Sequence, residues 1–235
     1  MTKNAGAVSI NWESNMARVL VPEDICNLSL DLLKQNPLAS ITTPVTNSEF
    51  IFQRWYDTER QAALRAHPWK FATIRTTLTP TGVTPPFGYA QAYNLPNDYI
   101  RMVSIGNDYL GDLRMKHVIE NGQILAPSGN SGDISGSPAT TLYLRYVYDI
   151  VAVGSFDPLF VKYFATGMAM DLSNKFAISA ALGKDLREAW MDVKAEAKAV
   201  NGQDSPIIRI QQSRLLTKRR GLPGGVYASK YTIFD

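Results

Sequence analysis

One cysteine, Cys26, stands in 235 residues. No disulfide can close within the chain, and a single thiol cannot assemble a zinc site. Cys26 lies in an apolar helical pattern and is expected as a small core residue. Histidine is nearly as scarce, with His67 and His117 alone. Neither belongs to an H-E-x-x-H pattern, and no carboxylate pair is spaced around either for metal binding. Long apolar runs are missing too. Nothing approaches the ~18 consecutive apolar residues of a membrane span, and the first residues lack the apolar core of a signal peptide. The expectation is a chain made in the cytoplasm, with no membrane partner and no cofactor. Excess charge is small: the formal net charge is +3, too little for a dedicated nucleic-acid binder.

Catalytic signatures fail in the same way. No G-x-S-x-G elbow is present. The glycine-rich stretch from Ser128 to Gly136 does not end in Gly-Lys-Ser/Thr and has no helix after it, so it reads as a connection between strands. The carboxylates Asp185, Glu188, Asp192 and Glu196 interleave with Lys184, Arg187, Lys194 and Lys198 on one helix, the mixture of a solvated face. The expectation is that this protein is not an enzyme.

What is present is an ordinary apolar share of 45% with 10% aromatics, enough for a substantial core. Residues 1–20, with Trp12, read as an N-terminal arm. Pro22 suits the first position of a helix, with Glu23 and Asp24 behind it and Ile25, Leu28 and Leu32 as its stripe. Asn36-Pro37 is read as its stop. Thr46-Asn47-Ser48-Glu49 fits a capping box that opens a second helix. Its buried side is predicted as Phe50, Ile51, Trp55, Ala62 and Leu64, and its end as Pro68.

The period then changes. Alternation from Trp69 to Ile74 predicts a strand, and further strands are expected near 87–93, 99–105, 113–119, 123–126 and 141–149. Asn121-Gly122 is a tight hairpin turn, and residues 127–138 form a longer loop. Helix returns at Asp157-Pro158, an N-cap followed by a favoured first residue. The segment from Leu159 to Phe176 is apolar on most sides and therefore buried or placed at a subunit contact. A last helix is predicted from Leu182 to Val200, with Leu182, Leu186, Trp190 and Val193 inward and Asn201-Gly202 as its stop.

The pattern ends at Gln203. Residues 203–235 carry six basic and two acidic residues, a net of +4, against 18 basic and 19 acidic in the rest. Arg209, Arg214, Lys218, Arg219, Arg220, Tyr227, Tyr231 and Phe234 are the candidate contact residues. Three readings stand: a tail that orders on a partner, a solvated tail, or a segment that touches nucleic-acid phosphates. The aromatic clusters favour the first.

In order, Pro68-Trp69-Lys70-Phe71-Ala72, Arg75 and Leu78, then Ala92-Tyr93-Asn94-Leu95-Pro96-Asn97-Asp98-Tyr99-Ile100-Arg101, the tyrosine-rich strand at 143–148 and Phe156-Asp157-Pro158-Leu159-Phe160 make a pattern. It resembles the tail tubular protein A family of short-tailed bacteriophages, the head-to-tail adaptors between portal and tail nozzle. The resemblance covers about residues 20 to 200, and no single motif carries it. It implies an α+β fold: a helical bundle (21–68 and 156–202) with an inserted antiparallel β-rich module (69–155) and an extended C-terminal tail (203–235). It further implies a homo-oligomeric ring of about twelve copies in the neck of a virion. Portal and nozzle proteins would be its partners, and double-stranded DNA would pass through without sequence readout. The alternative is a nucleic-acid-binding module acting through the basic tail.

Overall fold

The computed structural model describes residues 20–106, 117–126, 141–176 and 178–204. The N-terminal arm, most of the strand predicted at 113–119, the loop at 127–138 and nearly all of the tail lie outside the described residues. The chain divides into a unit at Met1–Gly202 and a second at Gln203–Asp235.

The first unit is mixed α+β, with four helices and two small antiparallel sheets among its described residues. Helix α1 spans Pro22–Leu32 and α2 spans Asn47–Arg65. Strands β1 (Thr73–Leu78), β2 (Gln91–Asn94), β3 (Tyr99–Ile105), β4 (Val118–Glu120), β5 (Gln123–Ala126) and β6 (Leu142–Tyr148) follow. Helices α3 (Pro158–Leu172) and α4 (Ala180–Gln203) complete the unit. The sheet orders are β1-β6-β3 and β2-β5-β4.

Local chemistry sets most boundaries. The capping box at Thr46 forms: Thr46 Oγ1 accepts from Glu49 N at 3.4 Å, and Glu49 Oε2 accepts from Thr46 N at 2.8 Å. Asp157 Oδ1 accepts from Leu159 N and Phe160 N at 2.8 and 3.2 Å, which caps α3 behind Pro158. Asn121 and Gly122 take φ of 46° and 70°. This left-handed pair matches the twist of the β4–β5 hairpin.

Strand β6 is shared between two cores. Leu142, Leu144 and Tyr146 point into an inter-sheet core with Tyr93, Ile105, Ile124 and Ala126. Val147, on the other face, belongs to the larger core of the helices, with Ile25, Phe52, Leu64, Trp69, Phe160 and Phe164. Helix α3 is wrapped on most sides, with nine buried residues, as its apolar composition predicts.

The faces of α1 and α2 differ from the expectation. Leu28 and Leu32 are exposed; α1 buries Ile25 and Cys26 as expected, with Ser29 and Leu30 in place of the two leucines. The Ser29 hydroxyl is shared between Ile25 O at 3.0 Å and Ala165 O at 2.9 Å, so a small polar residue holds the close approach to α3. On α2 the inward residues are Phe52, Tyr56, Arg60, Ala63 and Leu64, while Phe50 is half exposed. Nor does α1 wait for Asn36-Pro37. It ends at Leu32, and Lys34 turns the chain with a φ of 56°. Helix α4 runs through Asn201-Gly202 to Gln203, since neither residue takes the left-handed backbone that would stop it, and the Asn201 side chain bonds to the Lys70 backbone.

Candidate functional site

The stretch from Pro68 to Ala72 joins the bundle to the sheets, and β3 opens at Tyr99 to Arg101 beside the end of α2. Trp69 is almost fully buried. Its indole Nε1 donates to Ala63 O at 2.9 Å, and its ring lies 5.1 Å from Phe160 and 5.6 Å from Tyr163. At the far end Tyr99 stacks on Tyr146 with centroids 5.9 Å apart. Tyr146 donates its hydroxyl to Asp98 Oδ1 at 2.9 Å, while Asp149 N donates to Asp98 O at 2.8 Å. Burial and the neighbouring Asp98 push the Tyr146 phenol up to about 12. These aromatics hold the architecture and leave no reactive group free.

Next to this joint the fold gathers positive charge. His67 sits just past α2, Lys70 follows the Trp69 anchor, Arg101 lies on β3, and Lys194 and Lys198 lie one turn apart on α4. Burial lowers the His67 pKa first, and Lys198, Arg101 and Lys70 lower it further. Burial also lowers Lys198, with Lys194 and Arg101 adding to it. Arg65 joins the group: it donates to Ile100 O at 2.5 Å, and Arg101 returns a bond to Arg65 O at 3.1 Å. Asn201 braces the joint. Its Oδ1 accepts from Lys70 N at 2.8 Å, which orients Nδ2 toward His67 Nε2 at 2.9 Å. His67 Nε2 is thereby the acceptor, and the ring is neutral. Among the described residues no carboxylate is ion-paired with Arg65, Lys70, Arg101, Lys194 or Lys198. Lys194 instead lies over the Trp190 ring, 4.1 Å from its centroid.

A second place brings carboxyl groups together. Glu59, Asp171, Tyr163, Gly167, Met168 and Trp190 are among the residues lining a cleft of about 130 Å³ between α2, α3 and α4. Burial and the adjacent Asp171 raise Glu59 to about 7. Burial also raises Asp171, against the pull of its bond to Glu59 and of Arg187. Glu59 is therefore the partner that keeps the proton. At Gly167 an added Cβ would stand 3.0 Å from Trp190 Nε1, so this glycine lets the indole lie flat on α3. The cleft is small beside ordinary ligand sites.

Arg60, buried on α2, donates to Asp149 and to Ile150 O, the latter at 2.7 Å. Gln61 donates to the same Asp149 at 2.9 Å. This clamp ties α2 to the end of β6 and makes no open site.

The sequence candidates Arg209, Arg214, Lys218, Arg219, Arg220, Tyr227, Tyr231 and Phe234 all lie outside the described residues. His67 is a packing residue at a helix end, and His117 immediately precedes β4. Among the described residues no group of three or more His, Cys, Asp or Glu side chains is placed to hold a metal ion, and no helix is long and apolar enough to cross a membrane. The basic cluster escapes a linear reading because its members come from separate elements. Only the fold makes them neighbours. No protein-family model and no curated protein matches the chain.

Proposed function

We propose that the chain is a non-enzymatic structural protein of a phage virion, a head-to-tail adaptor that closes into a ring between portal and tail nozzle. The observation that supports this reading is where the resembling residues fall. Pro68 to Ala72 forms the joint between bundle and sheets, Ala92 to Arg101 supplies part of β2 and the start of β3, Tyr143 to Tyr148 belongs to the strand shared by both cores, and Asp157-Pro158 returns the chain to the bundle. They are the pieces a bundle with an inserted β module needs at its seams. Leu28 and Leu32 on α1 and Phe50 on α2 stay at least one-third exposed. Such apolar side chains suit the large permanent contacts of a heterologous ring.

Light scattering of the purified protein, alone and mixed with its portal, tests the reading. The expected result is a large oligomer, either spontaneously or once portal is added. A monomer that ignores portal under all conditions overturns it. The charge asymmetry between tail and body favours a second reading, a nucleic-acid-binding module acting through residues 209–220. It requires that alanine at Lys218, Arg219 and Arg220 abolish salt-sensitive DNA binding.

A further inference from the structure

We infer that the basic cluster at the joint, formed by Arg65, Lys70, Arg101, Lys194 and Lys198, is a contact surface for the phosphate backbone of duplex DNA. The inference rests on the adaptor reading and deepens it, because it assigns the contact to the body of the protein and not to its tail.

The arrangement carries the argument. Three parts of the chain distant in sequence contribute: the end of α2 with the turn after it, β3, and the second half of α4. The cations lie close enough that three of them act on His67 and two act on Lys198, and no carboxylate contributes to either field. Crowding cations without a counter-charge costs free energy, and an external anion relieves that cost. The frame is fixed: Arg65 and Arg101 are cross-tied through each other's strand and helix carbonyls, and Asn201 locks the Lys70 backbone and the His67 ring. A fixed array of cations matches a polymer with about one charge per 1.7 Å of duplex axis, and it reads charge without reading sequence. An acidic protein partner fits less well, since the cores of protein interfaces are depleted in lysine, and Lys70, Lys194 and Lys198 dominate this face.

The test uses the full chain with Lys218, Arg219 and Arg220 replaced by alanine, so that the tail does not mask the body. Fluorescence anisotropy with a mixed-sequence duplex of about 30 base pairs is read across a salt series. Adding Lys70→Glu and Lys198→Glu is expected to weaken binding at least roughly tenfold and to lower the salt slope by about 2. Neither lysine side chain makes a hydrogen bond or ion pair within the described residues. The variant is therefore expected to fold, and its circular dichroism confirms that. Lys70→Gln with Lys198→Gln is the milder version and should lower the slope by the same amount. Unchanged affinity and slope in both versions overturn the inference, as does competition by polyglutamate as effective as competition by DNA. Portal binding is measured on the same variants. Its retention when DNA binding is lost supports the assignment, whereas its absence in the parent chain tells against the adaptor reading alone.

Discussion

Glu49 shows how far one side chain can organise its surroundings. Its carboxylate accepts from the backbone N–H of Thr46 and Val45 at 2.8 and 2.6 Å, then from Ala39 at 3.0 Å and Ser40 at 3.4 Å. Those donors, Thr46 foremost, hold its pKa down to about 2. A depressed carboxylate favours the folded state above its unfolded pKa of about 4.5. That contribution disappears as pH falls from there through about 2. Glu59 has the opposite sign. Burial, then Asp171, raises it to about 7, so its folded form favours the proton. Its contribution is complete below about 4.5 and is lost as pH rises through about 7. The expected outcome is a pair of mirrored profiles in thermal melts. Glu49→Gln lowers the melting temperature at neutral pH, and its gap to the parent closes as pH falls below about 4.5. Glu59→Gln matches the parent in acid and becomes the more stable of the two above pH about 7. Parallel curves for either variant across pH 2 to 8 would refute the assignment of that proton.

At the scale of elements, the clamp between α2 and β6 is the contact most sensitive to a single deletion. Arg60 is buried, and Asp149 with Ile150 O answers its guanidinium. Asp57, its other carboxylate partner, is largely solvated. Asp149→Ala strands a buried cation and is expected to cost about 3–5 kcal/mol in chemical denaturation. Replacing both ends, Arg60→Met with Asp149→Leu, removes the stranded charge and should cost far less. Equal losses in single and double variants contradict the clamp. The same residue explains why the inward face of α2 is only partly legible in sequence: Leu64 is buried and Ile51 and Trp55 pack against the core as expected, while Phe52 and Tyr56 join them unannounced. An arginine at an inward position breaks the apolar period, and Phe50 and Ala62, expected inward, lie outside. Ser29 hides the inward face of α1 in the same way. The features that sequence predicts well are those settled within a few residues: the capping box at Thr46, the Asp157-Pro158 start, the Asn121-Gly122 turn and the limits of β3 and β5. The basic cluster is illegible for the converse reason. Lys70, Arg101 and Lys198 are each an unremarkable surface residue until α4 packs beside the joint. In the tail, Lys218, Arg219 and Arg220 are adjacent along the chain and stand out without any fold.

For the unit as a whole the decisive feature is the shared strand β6. Leu144 and Tyr146 face the inter-sheet core, and Val147 between β6 and the helices faces the other. Trp69 and Ala72 carry the bundle core up to β1, which pairs with β6 along its full length. No boundary separates a bundle that folds from a module that folds, because one strand supplies side chains to both. Leu144 is almost fully buried, so Leu144→Ala leaves a cavity and is expected to cost about 2–5 kcal/mol. The penalty should appear in both cores together. Tryptophan fluorescence reports the helical side, where Trp55, Trp69 and Trp190 lie, and the amide NMR signals of β2 and β5 followed through the same melt report the sheets. In parent and variant alike the two probes should give one midpoint, displaced by the same amount. Separate midpoints, with the β2 and β5 signals lost first in Leu144→Ala, would mean that the sheets melt away from a surviving bundle and that β6 does not couple the cores.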